Sequence, residues 1–62
     1  MTEHVAIEVN EATRTLYLYL QPERAGLLKG VVARTERIRR DNPTINVDYD
    51  AEGRVYGVEV LW

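Results

Sequence analysis

Acidic residues in the last third of the chain have a spacing that could hold a calcium ion. They follow the order Asp-x-Asp-x-Glu-Gly-x5-Glu, formed by Asp48, Asp50, Glu52, Gly53 and Glu59. This order is close to the ligand spacing of a calcium loop between two helices. The residues before it, 43–47, begin with proline and are rich in β-branched residues, which favours a strand over the required helix. We therefore predict a structural turn at Asp50 and Gly53 with solvent-facing carboxylates, and no metal or cofactor.

Few side chains are available for catalysis. The chain contains no serine and no cysteine, a single histidine (His4) and a single lysine (Lys29). Threonines remain as nucleophiles, but none has a histidine nearby in the sequence that could activate it. We therefore predict that the protein is not an enzyme and has no catalytic residues.

Length and charge restrict the classes of function further. The chain has 62 residues and a net charge of −2, which argues against a domain built for bulk phosphate binding. It contains no apolar run of the roughly 20 residues that span a membrane and no signal-peptide pattern, so we expect a cytoplasmic protein. A single domain of this size, 1–62, is only marginally stable alone, and without disulfides self-association is one way to stabilise it.

Half of the eight basic residues lie close together, at Arg34, Arg37, Arg39 and Arg40. With Tyr17 or Tyr19 as stacking partners, they could form a strip that contacts nucleic-acid phosphates. They could equally line an edge strand, where charge prevents unwanted strand pairing, or contact a protein partner. Glu36 and Asp41 dilute the positive charge, which favours the edge-strand interpretation.

Apolar residues alternate with polar ones over 5–20, which predicts a β-hairpin. The turn opens at Asn10, a residue type that favours turns. The pairs expected to face each other are Val9 with Leu16, Ile7 with Leu18, and Val5 with Leu20. This register collects six aliphatic side chains on one face, and a slip of one residue would disperse them.

The rest of the chain predicts at least two more strands. A middle strand is expected at about 31–38, and a helix over roughly 23–39 is the alternative because its apolar residues also have near-helical spacing. Residues 44–62 predict a second hairpin whose turn needs Gly53 in the left-handed region. The expected fold class is mainly β, a small antiparallel β-meander of about five strands. The alternative is an α+β fold with that one helix.

The last strand is expected to be apolar on both faces. The predicted turn places Tyr49 opposite Val55, Val47 opposite Gly57, and Ile45 opposite Glu59. A strand that is apolar on both sides is normally covered on both sides, and so short a chain has too few residues to do this. We therefore predict a homo-oligomer, with a dimer favoured, whose self-interface contains Val55, Tyr56, Val58, Val60, Leu61 and Trp62.

Several segments together resemble a known family. They are Glu11-Ala12-x-x-x-Leu16-Tyr17-x-x-Leu20, Val32-Ala33-Arg34-Thr35-Glu36, and the run 45–61 with its Asp-Tyr-Asp-x-x-Gly-Arg-Val core. This pattern resembles the small bacterial and phage proteins of domain-of-unknown-function family 2283. The chain departs from that family at Asn10, where Asp is common, and over 21–29, which is longer than the usual loop. The resemblance implies a compact β-meander and no established activity, and an antitoxin-like role is a conceivable implication.

These observations favour a small non-enzymatic protein that acts by binding, as a protein-interaction or regulatory module. The partner surface is expected to contain two tyrosines and four arginines: Tyr17, Tyr19, Arg34, Arg37, Arg39 and Arg40. The alternative function is a nucleic-acid accessory protein that binds through residues 34–40.

Overall fold

The computed structural model describes residues 6–62, apart from the side chains of Leu28 and Lys29, and this part of the chain forms one antiparallel sheet of five strands. The strands are β1 (Ala6–Asn10), β2 (Thr15–Tyr19), β3 (Arg34–Arg39), β4 (Thr44–Tyr49) and β5 (Val55–Leu61). Their spatial order is β1-β2-β5-β4-β3, so β3, β4 and β5 form a meander and β5 lies at the centre. The mainly β prediction is confirmed.

The connection between β2 and β3 contains only short helical turns. They are a 3-10 turn at Pro22–Arg24 and a single helical turn, α1, at Leu28–Val31. The alternative of one helix over 23–39 is therefore wrong. Residues of β3 pair with β4 from Arg34 opposite Tyr49 to Arg37 opposite Asn46, and this pairing overrides the helical spacing of the apolar residues.

The first hairpin has the predicted register. Val9 lies opposite Leu16, and Ile7 lies opposite Leu18. The expected pair of Val5 with Leu20 involves a residue outside the described part of the chain. At the turn, the Asn10 side-chain oxygen accepts hydrogen bonds from the backbone N–H groups of the residues two and three positions later, at 3.1 and 3.3 Å. This contact explains why asparagine opens the turn.

The second hairpin differs from the prediction by one residue. Tyr49 lies opposite Val55 as expected, but the register then shifts, and Asp48 lies opposite Gly57. Tyr56 is the extra residue of a β-bulge, which resets the alternation of faces. Beyond the bulge, Val47 pairs with Val58 instead of Gly57, and Ile45 pairs with Val60 instead of Glu59.

This register separates the two faces of the sheet by chemistry. One side, here called the aliphatic face, carries Ile7, Val9, Leu16, Leu18, Ile45, Val47, Val55, Val58 and Val60. The other side, the tyrosine face, carries Tyr17, Tyr19 and Tyr56, with Ala6, Val31 and Val32 packed against them. The connection between β2 and β3 therefore contributes to covering the tyrosine face.

The buried residues of the described chain come from the tyrosine face and from the turn after β4. They are Tyr17, Tyr19, Asn46, Asp48, Asp50, Tyr56 and Gly57. No side chain of the aliphatic face is buried, and Ile7 and Val9 at its margin are 59% and 53% exposed. The interior of one chain is thus built around three aromatic rings, with the aliphatic residues left outside it.

Candidate functional site

The three tyrosines of the core each donate a hydrogen bond to an oxygen atom. The hydroxyl of Tyr17 donates to Asp48 at 2.5 Å, that of Tyr19 donates to Glu8 at 2.9 Å, and that of Tyr56 donates to the carbonyl of Arg24. Burial first, and then the carboxylate partners, raise the pKa of Tyr17 and of Tyr19. Both phenols therefore stay protonated and act as donors rather than as bases.

Asp48, on β4, links β2 and β3, which lie on opposite sides of β4 in the sheet. Besides Tyr17 of β2, it accepts a hydrogen bond from the hydroxyl of Thr35 on β3. Two residues away, Asn46 connects Arg37 to Glu59 through bonds of 3.1 and 3.3 Å. These polar contacts cross the sheet and hold its register, because a shift of β2 or β3 relative to β4 would take a donor away from the buried carboxylate of Asp48.

Asp50 connects the turn before β5 to the β2–β3 connection. One carboxylate oxygen accepts the backbone N–H groups of Glu52 and Arg54 at 3.0 and 2.9 Å. The other accepts the side-chain amide of Gln21 at 2.9 Å and Nε of Arg54 at 3.1 Å. The Gln21 amide, together with the N–H donors and charge of Arg54, lowers the pKa of Asp50 to about 2.

The structure corrects the expectation that the carboxylates of this turn face solvent. Asp48 and Asp50 are buried, and protein donors occupy their oxygens. The turn itself is as predicted, since Gly53 has a φ of 83° and its N–H donates to the carbonyl of Asp50 at 3.0 Å. Within residues 6–62 no group of three or more His, Cys, Asp or Glu is placed to hold a metal ion.

A cavity of about 430 Å³ opens on the tyrosine face beside β1. It is lined by Glu8, Val9, Asn10, Thr15, Tyr17, Tyr19 and Glu59. Neither glutamate in this lining forms an ion pair within the described chain. The cavity therefore presents negative charge, which disfavours phosphate binding on this face.

The predicted partner surface is not a continuous patch. The rings of Tyr17 and Tyr19 are only 9% and 4% exposed, so they belong to the core of the chain and are not available as contact or stacking residues. The arginines of β3 alternate between the two faces. Arg34 lies 4.0 Å over the ring of Tyr49, whereas Arg37 reaches Asn46 on the opposite side. Arg39 and Arg40 are exposed at the end of this edge strand.

The predicted self-interface is likewise divided between two faces. Val55, Val58 and Val60 lie on the aliphatic face, but Tyr56 is 0% exposed inside the core of the chain. Leu61, opposite Thr15 and Thr44, falls on the tyrosine face, and Trp62 is exposed after the end of β5. The bulge at Tyr56 causes this division, because strict alternation without a bulge would place Tyr56 on the same face as Val58 and Val60.

The aliphatic face is the best candidate for a functional surface. Across β1, β2, β5 and β4 it contains no charged residue. Charge begins only at its margin on β3, where the hydroxyl of Tyr49 donates to Glu36 at 3.1 Å. Sequence reasoning assigned only the three valines of β5 to this surface. For the residues of β1 and β2, the apolar alternation in the sequence indicated a shared face. The bulge in β5 prevented the extension of this face to β5 and β4 from being recognised.

Comparison with known proteins gives one match. The model of the family described as "Protein of unknown function (DUF2283)" matches residues 5–62. No curated protein and no solved structure matches the chain significantly. No helix in the described part of the chain has the length and apolar character needed to cross a membrane.

Proposed function

Because the chain belongs to the family DUF2283, which is described only as a protein of unknown function, we propose a function from its surfaces: the protein is a non-enzymatic protein-interaction module whose contact surface is the aliphatic face. One observation carries this proposal. Nine aliphatic side chains, from Ile7 on β1 to Val60 on β5, lie on one side of a single sheet, and none of them is buried.

The composition of this surface supports the proposal. On this face Ile7 and Val9 are exposed and the other seven side chains are half-buried. A contiguous apolar patch that remains in contact with water and has a polar margin is characteristic of a protein contact site, because the water is released when a partner covers it. Here the margin is provided by Arg34, Glu36 and Tyr49 at the β3 side. An apolar centre with a polar rim is also the usual anatomy of a protein–protein interface.

Other classes of function have less support from the same surfaces. The chain has no serine or cysteine nucleophile, and every oxygen of the buried carboxylates Asp48 and Asp50 accepts a hydrogen bond from a protein donor. A nucleic-acid site would need its cations on one face, whereas Arg34 and Arg37 lie on opposite faces of β3. Binding through the aliphatic face would explain why the apolar side chains on this side of the sheet are not buried in the single chain.

The proposal is tested by placing a charge on the aliphatic face without disturbing the fold. Ile7→Glu suits this purpose because Ile7 is 59% exposed in the single chain. Leu27→Glu is a matched control, since Leu27 is 55% exposed but lies in the β2–β3 connection, away from this face. Both tagged variants and the parent are produced in the source cell, and their native size is measured in the lysate.

We expect the parent and Leu27→Glu to migrate in an assembly larger than one chain, and Ile7→Glu to migrate alone. Circular dichroism of the purified variants confirms that both remain folded. If all three proteins migrate at the same size, the aliphatic face is not a contact surface and the proposal fails.

A further inference from the structure

We propose that the partner of the aliphatic face is a second copy of this chain, packed face to face as a two-layer sandwich with a two-fold axis beside β5. This inference rests on the proposed function, because it names the occupant of the same surface. Three observations support it: the small interior of the single chain, the size of the face, and its match to itself.

The interior of one chain is small for a stable fold. The described apolar residues that are buried are three tyrosines, whereas the aliphatic residues of four strands remain outside. Chains of this length are marginal even with a complete core. A covering layer would therefore add stability to the folded chain, and a second copy is a partner that is always produced with it.

The size of the face matches that of a dimer interface. The four strands of the aliphatic face, spaced by about 4.8 Å and with about 3.4 Å per residue along the seven residues of β5, cover roughly 19 by 24 Å, and the charged margin on β3 widens this to roughly 24 by 24 Å. The accessible area of such a corrugated surface exceeds its flat area. With that margin it reaches the lower end of the roughly 600 to 1,000 Å² per partner that stable complexes bury.

The face is also complementary to itself. Its centre is uncharged, so two copies meet without removing any charge from water. At the margin, Arg34 and Glu36 of β3 provide both signs of charge, so the margin of one copy offers a counter-charge for either sign on the other copy. Since β5 is the middle strand, an axis through the centre of the face brings Val58 and Val60 close to the same residues of the second copy. Stacked sheets lie about 10 Å apart, which allows direct contact of these side chains.

The first measurement is the mass of the purified protein by light scattering over a wide dilution range. We expect a dimer for the parent and for the control Leu27→Glu. For Ile7→Glu we expect a dissociation constant raised about tenfold or more, because each dimer would then hold two carboxylates against the margin of an apolar contact. Since Ile7 is already 59% exposed in one chain, loss of the dimer would not follow from a damaged core.

The second measurement locates the interface without any substitution. Protein labelled with carbon-13 is mixed with unlabelled protein, and isotope-filtered spectra detect only contacts between chains. We expect contacts that involve the methyl groups of Val58 and Val60, and none that involve Leu27. Such contacts, together with a dimeric mass, support the inference.

The other outcomes overturn it in distinguishable ways. A dimer whose interchain contacts lie elsewhere shows that a different surface pairs, and the second copy is then not the occupant of this face. A monomer at all concentrations also overturns the inference. If the lysate assembly nevertheless depends on Ile7, the interaction module stands with a different partner; if it does not, both proposals fail.

Discussion

Gly57 occupies a position where the fold tolerates no side chain. It lies on β5 between Tyr19 of β2 and Asp48 of β4, and the ring of Tyr17 crosses directly over it. A Cβ atom added here would lie 2.7 Å from the hydroxyl oxygen and 2.8 Å from Cζ of Tyr17. Carbon atoms prefer separations of about 3.5 to 4.0 Å, so in Gly57→Ala the ring has to move by about 1 Å.

The expected cost combines two effects. The displaced ring loses its 2.5 Å hydrogen bond to Asp48, and a hydrogen bond to a charged group contributes about 1.5 to 3 kcal/mol. Overpacking a core costs about 1 to 3 kcal/mol. Because the two effects overlap, we expect Gly57→Ala to lower the free energy of unfolding by about 2 to 5 kcal/mol. That is a large part of the total stability of a chain of this length.

The assay is urea unfolding followed by circular dichroism, with all proteins at one concentration. Gly53→Ala is the matched control, because Gly53 has a φ of 83° but no atom within 4 Å of the added Cβ. It should cost about 1 to 2 kcal/mol from backbone strain alone. Shortening the obstructing ring by Tyr17→Leu should remove most of the additional cost of Gly57→Ala. If Gly57→Ala is no worse than Gly53→Ala, or if Tyr17→Leu does not reduce its cost, the steric reasoning is refuted.

Two further predictions concern the polar contacts. Tyr17→Phe should lower the free energy of unfolding by about 1.5 to 3 kcal/mol, because it removes a donor from the buried Asp48. Tyr19→Phe should lower it by less than about 1 kcal/mol, because its acceptor Glu8 is exposed and water replaces the lost hydroxyl. Equal losses in urea unfolding would contradict this difference. The pKa of Asp50 is lowered from 3.8 to about 2 on folding, so its contribution is present above about pH 4 and is lost as the pH falls towards 2. The urea midpoint of the parent should fall across this range and that of Asp50→Asn should fall less; parallel curves would show that another group titrates.

The first hairpin could be predicted in detail because its register follows from local alternation. Val9 and Leu16 face each other as that alternation requires, and the turn between the strands contains its own signal in Asn10. The turn before β5 was predictable for the same reason, since the left-handed backbone of Gly53 is a local property. In both places the determinants lie within a few residues of the feature.

The candidate site could not be predicted in the same way, because its determinants are distant in the chain. The bulge at Tyr56 has no recognisable residue pattern in the sequence. It nevertheless places every later residue of β5 on the face opposite to the one that strict alternation predicts. The burial of Tyr17 depends on Asp48, which lies 31 residues away and reaches it only after β2 pairs with β5. Alternation alone therefore indicated how apolar β5 is, but grouped Tyr56 with Val58 and Val60, which lie on the opposite face.

The central position of β5 has a consequence for how the chain is made. Both neighbours of β5 in the sheet, β2 and β4, precede it in the sequence, and so do the two edge strands. During synthesis from the N-terminus the flanks of the sheet are therefore translated before the strand that joins them. Until β5 is translated, the hairpin of β1 and β2 is an isolated two-stranded unit, which is at best marginally stable in water. Folding of the whole sheet, and with it the assembly of the aliphatic face, is thus confined to the time after β5 has been translated.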